Sequence, residues 1–195
     1  MSGVQRIAGR AVVVMRSDVD TDQIIPAAWL KKVERTGFGA GLFEAWRADP
    51  RFALNQPGAD QARVLISGPN FGCGSSREHA VWALQDFGFQ AVVAPSFADI
   101  FRGNSISSGL VPAQVSDQAV ARLAAALAEA PDSEVVVDVA ARTVAVGAVT
   151  EPFQLADYAQ WRLLEGLDDV NLTLQHEDEI AAYERQRPEY LPSVA

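Results

Sequence analysis

Residues 63–88 read RVLISGPNFGCGSSREHAVWALQDFG, and the succession of residue types in this stretch decides the fold class. Residues 63–67 (RVLIS) form a short apolar run of strand type. Ala80, Ala83, Leu84 and Phe87 then recur at helical spacing until Gly88 supplies a stop. Between them lies a strand-to-helix loop, GPNFGCGSSREHA (residues 68–80), with three glycines, two adjacent serines, an arginine, a glutamate, the single cysteine and one of the two histidines. Gly72 and Gly74 permit backbone conformations that residues with a Cβ resist, and they leave amide groups open to a ligand. Ser75 or Ser76 falls near the helix N-terminus, where unpaired N–H groups and the helix dipole favour negative charge. Chemistry is therefore expected in this loop.

Working outward, residues 90–95 (QAVVAP) read as a second strand and residues 97–104 as a second helix. Strand, helix, strand, helix within about forty residues implies a parallel βαβ unit with a right-handed crossover. Upstream, residues 10–15 (RAVVVM) read as a buried strand ending in the acidic loop of residues 16–22 (RSDVDTD). Its aspartates mimic the start of a calcium loop, but the glycine and glutamate that an EF-hand requires are missing. Local capping by aspartate side chains is the simpler reading. Residues 27–33 predict a helical turn or two, residues 42–47 a short helix and residues 50–61 irregular chain. The glycines at 37, 39 and 41 predict a flexible lid, since no Lys-Ser/Thr follows them to make a phosphate loop.

Downstream, residues 109–112 form a further short apolar element. Residues 117–129 predict an amphipathic helix with Val120, Leu123, Ala124 and Leu127 on one face and Ser116 as its cap. Alternation over residues 134–149 predicts a β-hairpin turning near Ala141 and Arg142. Leu155, Tyr158, Trp161 and Leu164 outline a helix face ended by Gly166, and a last helix spans residues 177–187. One α/β domain over residues 1–195 is expected, with a core from about 4 to 150 and a helical C-terminal extension from about 151 to 195.

The formal net charge of −9 argues against a nucleic-acid partner. No apolar run approaches the roughly 20 residues of a membrane span, and the N-terminus lacks a secretory layout, so a cytoplasmic location is the expectation. With Cys73 as the single cysteine, an internal disulfide, a self-contained iron–sulfur cluster and a thiolate zinc site are excluded.

Within the central loop, familiar motifs fail on their spacing. A nucleophile elbow needs glycine two before and two after the serine; Ser75 has Cys73 and Arg77 there, and Ser76 has Gly74 and Glu78. A dinucleotide fingerprint is broken at Arg77, and the Walker Gly-Lys-Ser/Thr is absent. Glu78 and His79 are adjacent, so they face different ways on a helix and make a poor metal pair. What remains is an anion site of open amides, two hydroxyls and the Arg77 fork, suited to carboxylate or phosphate. The alternative is that Ser75 merely caps the helix and Arg77 makes a surface ion pair. Cys73 reads as a small buried side chain rather than a nucleophile, with His79 the only nearby candidate base, and His176 as part of a solvated face.

The central motif, preceded by DTDQIIP (residues 20–26) and followed by FADIFRGN (residues 97–104), resembles the small subunits of 3-isopropylmalate dehydratase, or isopropylmalate isomerase. These are swivel domains of the aconitase superfamily. The likeness runs from about residue 10 to 112, includes LKKVERTGFGAGLFEAWR (residues 30–47), and extends to WRLLEGLDDVNL (residues 161–172). It implies a swivelling β/β/α domain with a mixed sheet, flanking helices and a helical C-terminal tail. It also implies half of a hydro-lyase that interconverts 2- and 3-isopropylmalate by removing and re-adding water in leucine biosynthesis. The 4Fe–4S cluster would sit in a separate large subunit, with none bound here, and the substrate is a small dicarboxylate.

By this resemblance Ser75 is the base, acting as an alkoxide, and Arg77 the carboxylate clamp. Ser76 and the Gly74 amide bind substrate, and Arg35 and Thr36 lie in the loop that governs substrate choice. Asp22 orients an arginine, while Asp20, Glu78 and His79 support the site. Homoaconitate- and citramalate-type relatives use the same framework, so substrate choice stays open at this level.

Overall fold

The computed structural model describes residues 3–32, 34 and 36–188. Among the described residues seven strands, numbered in chain order, form one mixed sheet in the order β4-β3-β2-β1-β5-β6-β7. The parallel half consists of β1 (Arg6–Val14), β2 (Ala62–Ser67), β3 (Ala91–Ala94) and β4 (Val111–Gln114). Helices α3 (Glu78–Phe87) and α4 (Asp99–Ser108) make the crossovers from β2 to β3 and from β3 to β4. The antiparallel half is β5 (Val135–Asp138), β6 (Thr143–Val146) and β7 (Val149–Pro152).

Strand β1 joins the two halves. Arg6 to Gly9 pair antiparallel with β5, Ala11 to Val14 pair parallel with β2, and the register shifts between Arg10 and Ala11. The sheet curls far enough for its ends to meet: the Gln154 amide donates to the Gln114 carbonyl at 2.6 Å. No helix among the described residues is long and apolar enough to cross a membrane.

Val64, Leu65 and Ile66 are apolar in succession, and all buried, because both faces of the parallel half are covered. Leu65 joins Val12, Val14 and Val92 on one face, beneath α3, α1 (Thr21–Ile24) and the 3-10 turn Phe38–Gly41. Val64 and Ile66 point the other way, with Val93, Val111, Val137 and Val144, onto α5 (Asp117–Glu129). Helix α5 keeps the bounds its periodicity predicts, and Ser116 Oγ accepts the Ala119 amide as its cap.

Three expectations need correction. The glycine-rich segment is not a lid: Phe38 and Leu42 are wholly buried. Its glycines serve close packing, since a Cβ on Gly39 would come within 2.8 Å of the Phe87 amide nitrogen and one on Gly41 within 2.5 Å of the Trp29 ring. The face drawn through Tyr158 and Trp161 is also wrong. Helix α6 (Asp157–Glu165) buries Ala159, Arg162 and Leu163 and leaves Tyr158 57% exposed. A buried arginine defeats a hydrophobicity pattern, and this one is satisfied by Asp169 and the Leu167 carbonyl.

The hairpin reading stops one strand short, because β7 follows Gly147 in a positive-φ turn that continues the meander. The tail holds two short helices, α7 (Asp169–Leu174) and α8 (Glu177–Arg185), of which only the second was legible as a periodic segment.

Candidate active site

The loops that leave β1, β2 and β3 converge at the carboxyl ends of the parallel strands, where open α/β sheets bind ligands. Backbone pairing holds them together. The Gly72 amide donates to the Val19 carbonyl (2.7 Å), the Phe71 amide to Ser96 (3.0 Å) and the Thr21 amide to Cys73 (2.9 Å). Asn70, in a left-handed conformation at φ 59°, donates its side-chain amide to Asp18 at 2.8 Å. Gly72, at φ 77°, has the Phe101 ring of α4 where a side chain would stand, so glycine is required there on two counts.

The acidic loop is a scaffold for this arrangement. Asp20 caps α1 by accepting the Gln23 amide (2.7 Å), and the Gln23 side chain accepts the Asp20 amide in return (3.1 Å), a complete capping box. Thr21, 2% exposed, donates its hydroxyl to the Ser75 carbonyl at 3.1 Å. Asp22 accepts a hydrogen bond from the Arg77 guanidinium across 55 positions of sequence. The Arg77 side chain is only 15% exposed, and its carboxylate partner 55%.

Ser75 and Ser76 are exposed, and neither hydroxyl bonds to another described residue. Neither serine caps α3. The cap position falls to Arg77, whose side chain makes no capping bond. The backbone amides of residues 75–79 therefore find no acceptor among the described residues, and they lie beside the guanidinium at the positive end of the helix dipole. The arrangement suits a carboxylate-bearing ligand and stabilises negative charge near the Ser75 hydroxyl.

Glu78 opens the helix in the exposed first turn. His79 belongs to an aromatic cluster, its ring 5.2 Å from Phe38 edge-on and 4.7 Å from Trp82. Gly74, at φ 88°, lies over Asp20 and Thr21. Thr36 is exposed, and Arg35 lies outside the described residues. Sequence reasoning missed Thr21, whose role depends on a partner 54 residues away; the one available signal was its place inside the DTDQIIP motif.

Burial pushes the Cys73 thiol above its ordinary value, and the Asp20 and Asp18 carboxylates add to the effect. An iron–sulfur cluster needs several thiolates, and Cys73 is alone. Among the described residues no group of three His, Cys, Asp or Glu side chains could hold a metal ion. The donor set of this chain does not fit such a cluster.

Residues 1–118 match the aconitase C-terminal domain family, and residues 169–192 match the C-terminal domain of 3-isopropylmalate dehydratase small subunits. The chain is 59% identical to the 3-isopropylmalate dehydratase small subunit of Frankia alni over 95% of both chains. It is 54% identical to that of Streptomyces coelicolor over 100% of this chain and 98% of the relative. Among solved structures, the crystal structure of 3-isopropylmalate dehydratase from Methanocaldococcus jannaschii superposes with a TM-score of 0.69 at 28% identity, covering 91% of this chain and 98% of the other. On these matches, which run nearly the full length of both chains, the chain belongs to the family of 3-isopropylmalate dehydratase small subunits.

Proposed function

We propose that this chain is the small subunit of a two-chain hydro-lyase that interconverts 2-isopropylmalate and 3-isopropylmalate by dehydration and rehydration in leucine biosynthesis. A large subunit carries the 4Fe–4S cluster and closes the site from the opposite side, and the pair works in the cytoplasm. Residues 1–195 act as one swivel domain with a core over 4–150 and a helical extension over 151–195. The observation that carries this reading is the exposed Ser75 hydroxyl beside a run of open amides, with Arg77 held next to it by Asp22.

The proton to be removed lies α to a carboxylate, so only a strong base takes it. Ser75 Oγ serves as that base in its ionised form, stabilised by the open amides of residues 75–79 and by Arg77. The proton passes to Ser75 Oγ, the electron pair of the broken C–H bond forms the double bond, and the hydroxyl leaves the neighbouring carbon as hydroxide on the large-subunit side, where the cluster would supply the Lewis acid that accepts it. Re-addition of water in the opposite orientation returns the proton from Ser75 to carbon. Arg77 clamps one carboxylate of the dicarboxylate substrate, Ser76 and the Gly74 amide bond to the same group, and Asp22 fixes the guanidinium. Asp20, Glu78 and His79 support the loop, and the segment that carries Arg35 and Thr36 governs the choice of substrate.

Co-expression with the large subunit and assay of Ser75→Ala tests the reading. The complex is expected to form as in wild type while turnover falls by about 10²–10⁴-fold, the usual range for loss of an acid–base group. Turnover that survives the substitution in an intact complex would refute the assignment of the base.

A further inference from the structure

At the seam where Gln154 meets Gln114, a cavity of about 440 Å³ lies between α4, the β5–β6 turn and the chain that follows β7. Two guanidiniums line it, Arg102 from α4 and Arg142 from the turn. Arg102 engages through Nη2 alone, donating to Gln114 Oε1 at 2.7 Å. Arg142 also engages through Nη2 alone, donating to Asp157 and to Gln160 Oε1 (2.5 Å). In both residues the Nε–H is buried without an acceptor among the described residues.

A guanidinium carries five donors, and buried donors left unpaired are rare enough in folded proteins to call for a ligand, an ion or a water. Arg142 also sits at φ 55°, an uncommon conformation for a residue with a side chain. Asp157 is the one carboxylate bonded to the pair among the described residues, and its side chain is 93% exposed. The seam is thus locally positive in a chain whose net charge is −9. Beside the arginines the lining is mixed, with the amide side chains of Gln114 and Gln154 and an apolar patch of Phe153, Leu155 and Ala156.

We propose that this seam is a binding site for a small aliphatic carboxylate. Its head group takes Nη donors of Arg102 and Arg142, displacing the exposed Asp157 from the latter, and its hydrocarbon body lies against Leu155 and Ala156. A planar guanidinium fork matches a carboxylate in two-point geometry, and a second fork across the cavity supplies the charge that desolvation of the anion requires. The site is separate from the Ser75 loop and does not depend on the function proposed for it. Helix α4 links the two, since Arg102 follows Phe101, the ring packed on Gly72.

The test uses the isotope-labelled full chain with isovalerate as the probe and NMR as the readout. Isovalerate is expected to shift the amide resonances of Arg102, Gln114, Arg142 and Gln154 saturably, while neutral isovaleramide leaves them in place. Arg102→Gln and Arg142→Gln are each expected to weaken binding by about tenfold or more, as loss of a charge-assisted hydrogen bond does. Unchanged spectra elsewhere in the chain establish that the variants fold. Saturation that survives both substitutions, or that maps to residues 75–79, overturns the proposal, as does the absence of saturable shifts. Inorganic phosphate binding as tightly as isovalerate with the same arginine dependence overturns the aliphatic class of ligand.

Discussion

The buried Thr21 hydroxyl donates to the carbonyl of Ser75 at 3.1 Å, and the Thr21 amide donates to the carbonyl of Cys73 at 2.9 Å. One residue of the acidic loop thus holds the serine-bearing segment at two points. Thr21→Val keeps the shape and the amide bond but removes the hydroxyl, leaving a fold in which the Ser75 backbone has lost one restraint. A neutral hydrogen bond is worth about 1 kcal/mol, so turnover of the reconstituted enzyme is expected to fall roughly five- to tenfold with KM little changed. Thr21→Ser is expected to restore it. Equal losses in both variants would assign Thr21 to packing alone.

Asp22 and Arg77 make a different case, because the carboxylate is half exposed and the guanidinium nearly covered. A partly exposed ion pair contributes about 0–1 kcal/mol to stability, so Asp22→Asn is expected to leave the thermal midpoint within a few degrees of wild type. The orientation of Arg77 matters far more to a carboxylate ligand. KM for the dicarboxylate is expected to rise about tenfold. Steady-state kinetics beside a melting curve separates the two effects, and a large loss of stability with unchanged KM would show that the pair is structural.

What the sequence made legible here is local chemistry. The strand, loop and helix over residues 63–88, the Ser116 cap and the alternation of β5 and β6 all depend on neighbours within a few positions. The missing parts depend on distant partners. Arg162 could be recognised as a buried residue only with Asp169 and the Leu167 carbonyl in view, and the shift of register at Arg10 only with β2 and β5 on either side. Within the site, Gly74, Ser75 and Arg77 declare themselves by composition, whereas Thr21 and the bond from Arg77 to Asp22 arise from chain reversal across more than fifty residues. The three glycines at 37–41 suggest freedom in isolation, yet two of them record how closely other groups approach.

That last contrast predicts opposite signs for two glycine-to-alanine substitutions. A Cβ on Gly39 would press on backbone atoms of Asp86 and Phe87 at 2.8–3.1 Å, and backbone at a packed helix end yields little. Gly39→Ala is expected to destabilise by about 1–3 kcal/mol. Gly103, inside α4, has nothing within 4 Å of an added Cβ. Gly103→Ala is expected to stabilise by about 1 kcal/mol through helix propensity and the smaller freedom of the unfolded chain. Chemical denaturation of the two variants reads both values, and a shared sign would contradict the packing described for the 3-10 turn.

Cys73 provides the pH-dependent case. Burial raises its thiol pKa most, and the Asp20 and Asp18 carboxylates raise it further. At a pH below that value the thiolate fraction, which is the reacting species, is smaller than for an ordinary cysteine. Alkylation of the native chain by iodoacetamide near pH 8 is therefore expected to be slower than alkylation of the urea-unfolded chain. The native rate should keep climbing with pH beyond the point where the unfolded rate levels off. Asp20→Asn preserves the helix cap, since asparagine caps as well as aspartate, but removes one of the two charges. Its rate-versus-pH curve is expected to shift part of the way toward the unfolded curve, leaving the portion due to burial. A curve that coincides with wild type would mean that the Asp20 charge does not reach the sulfur.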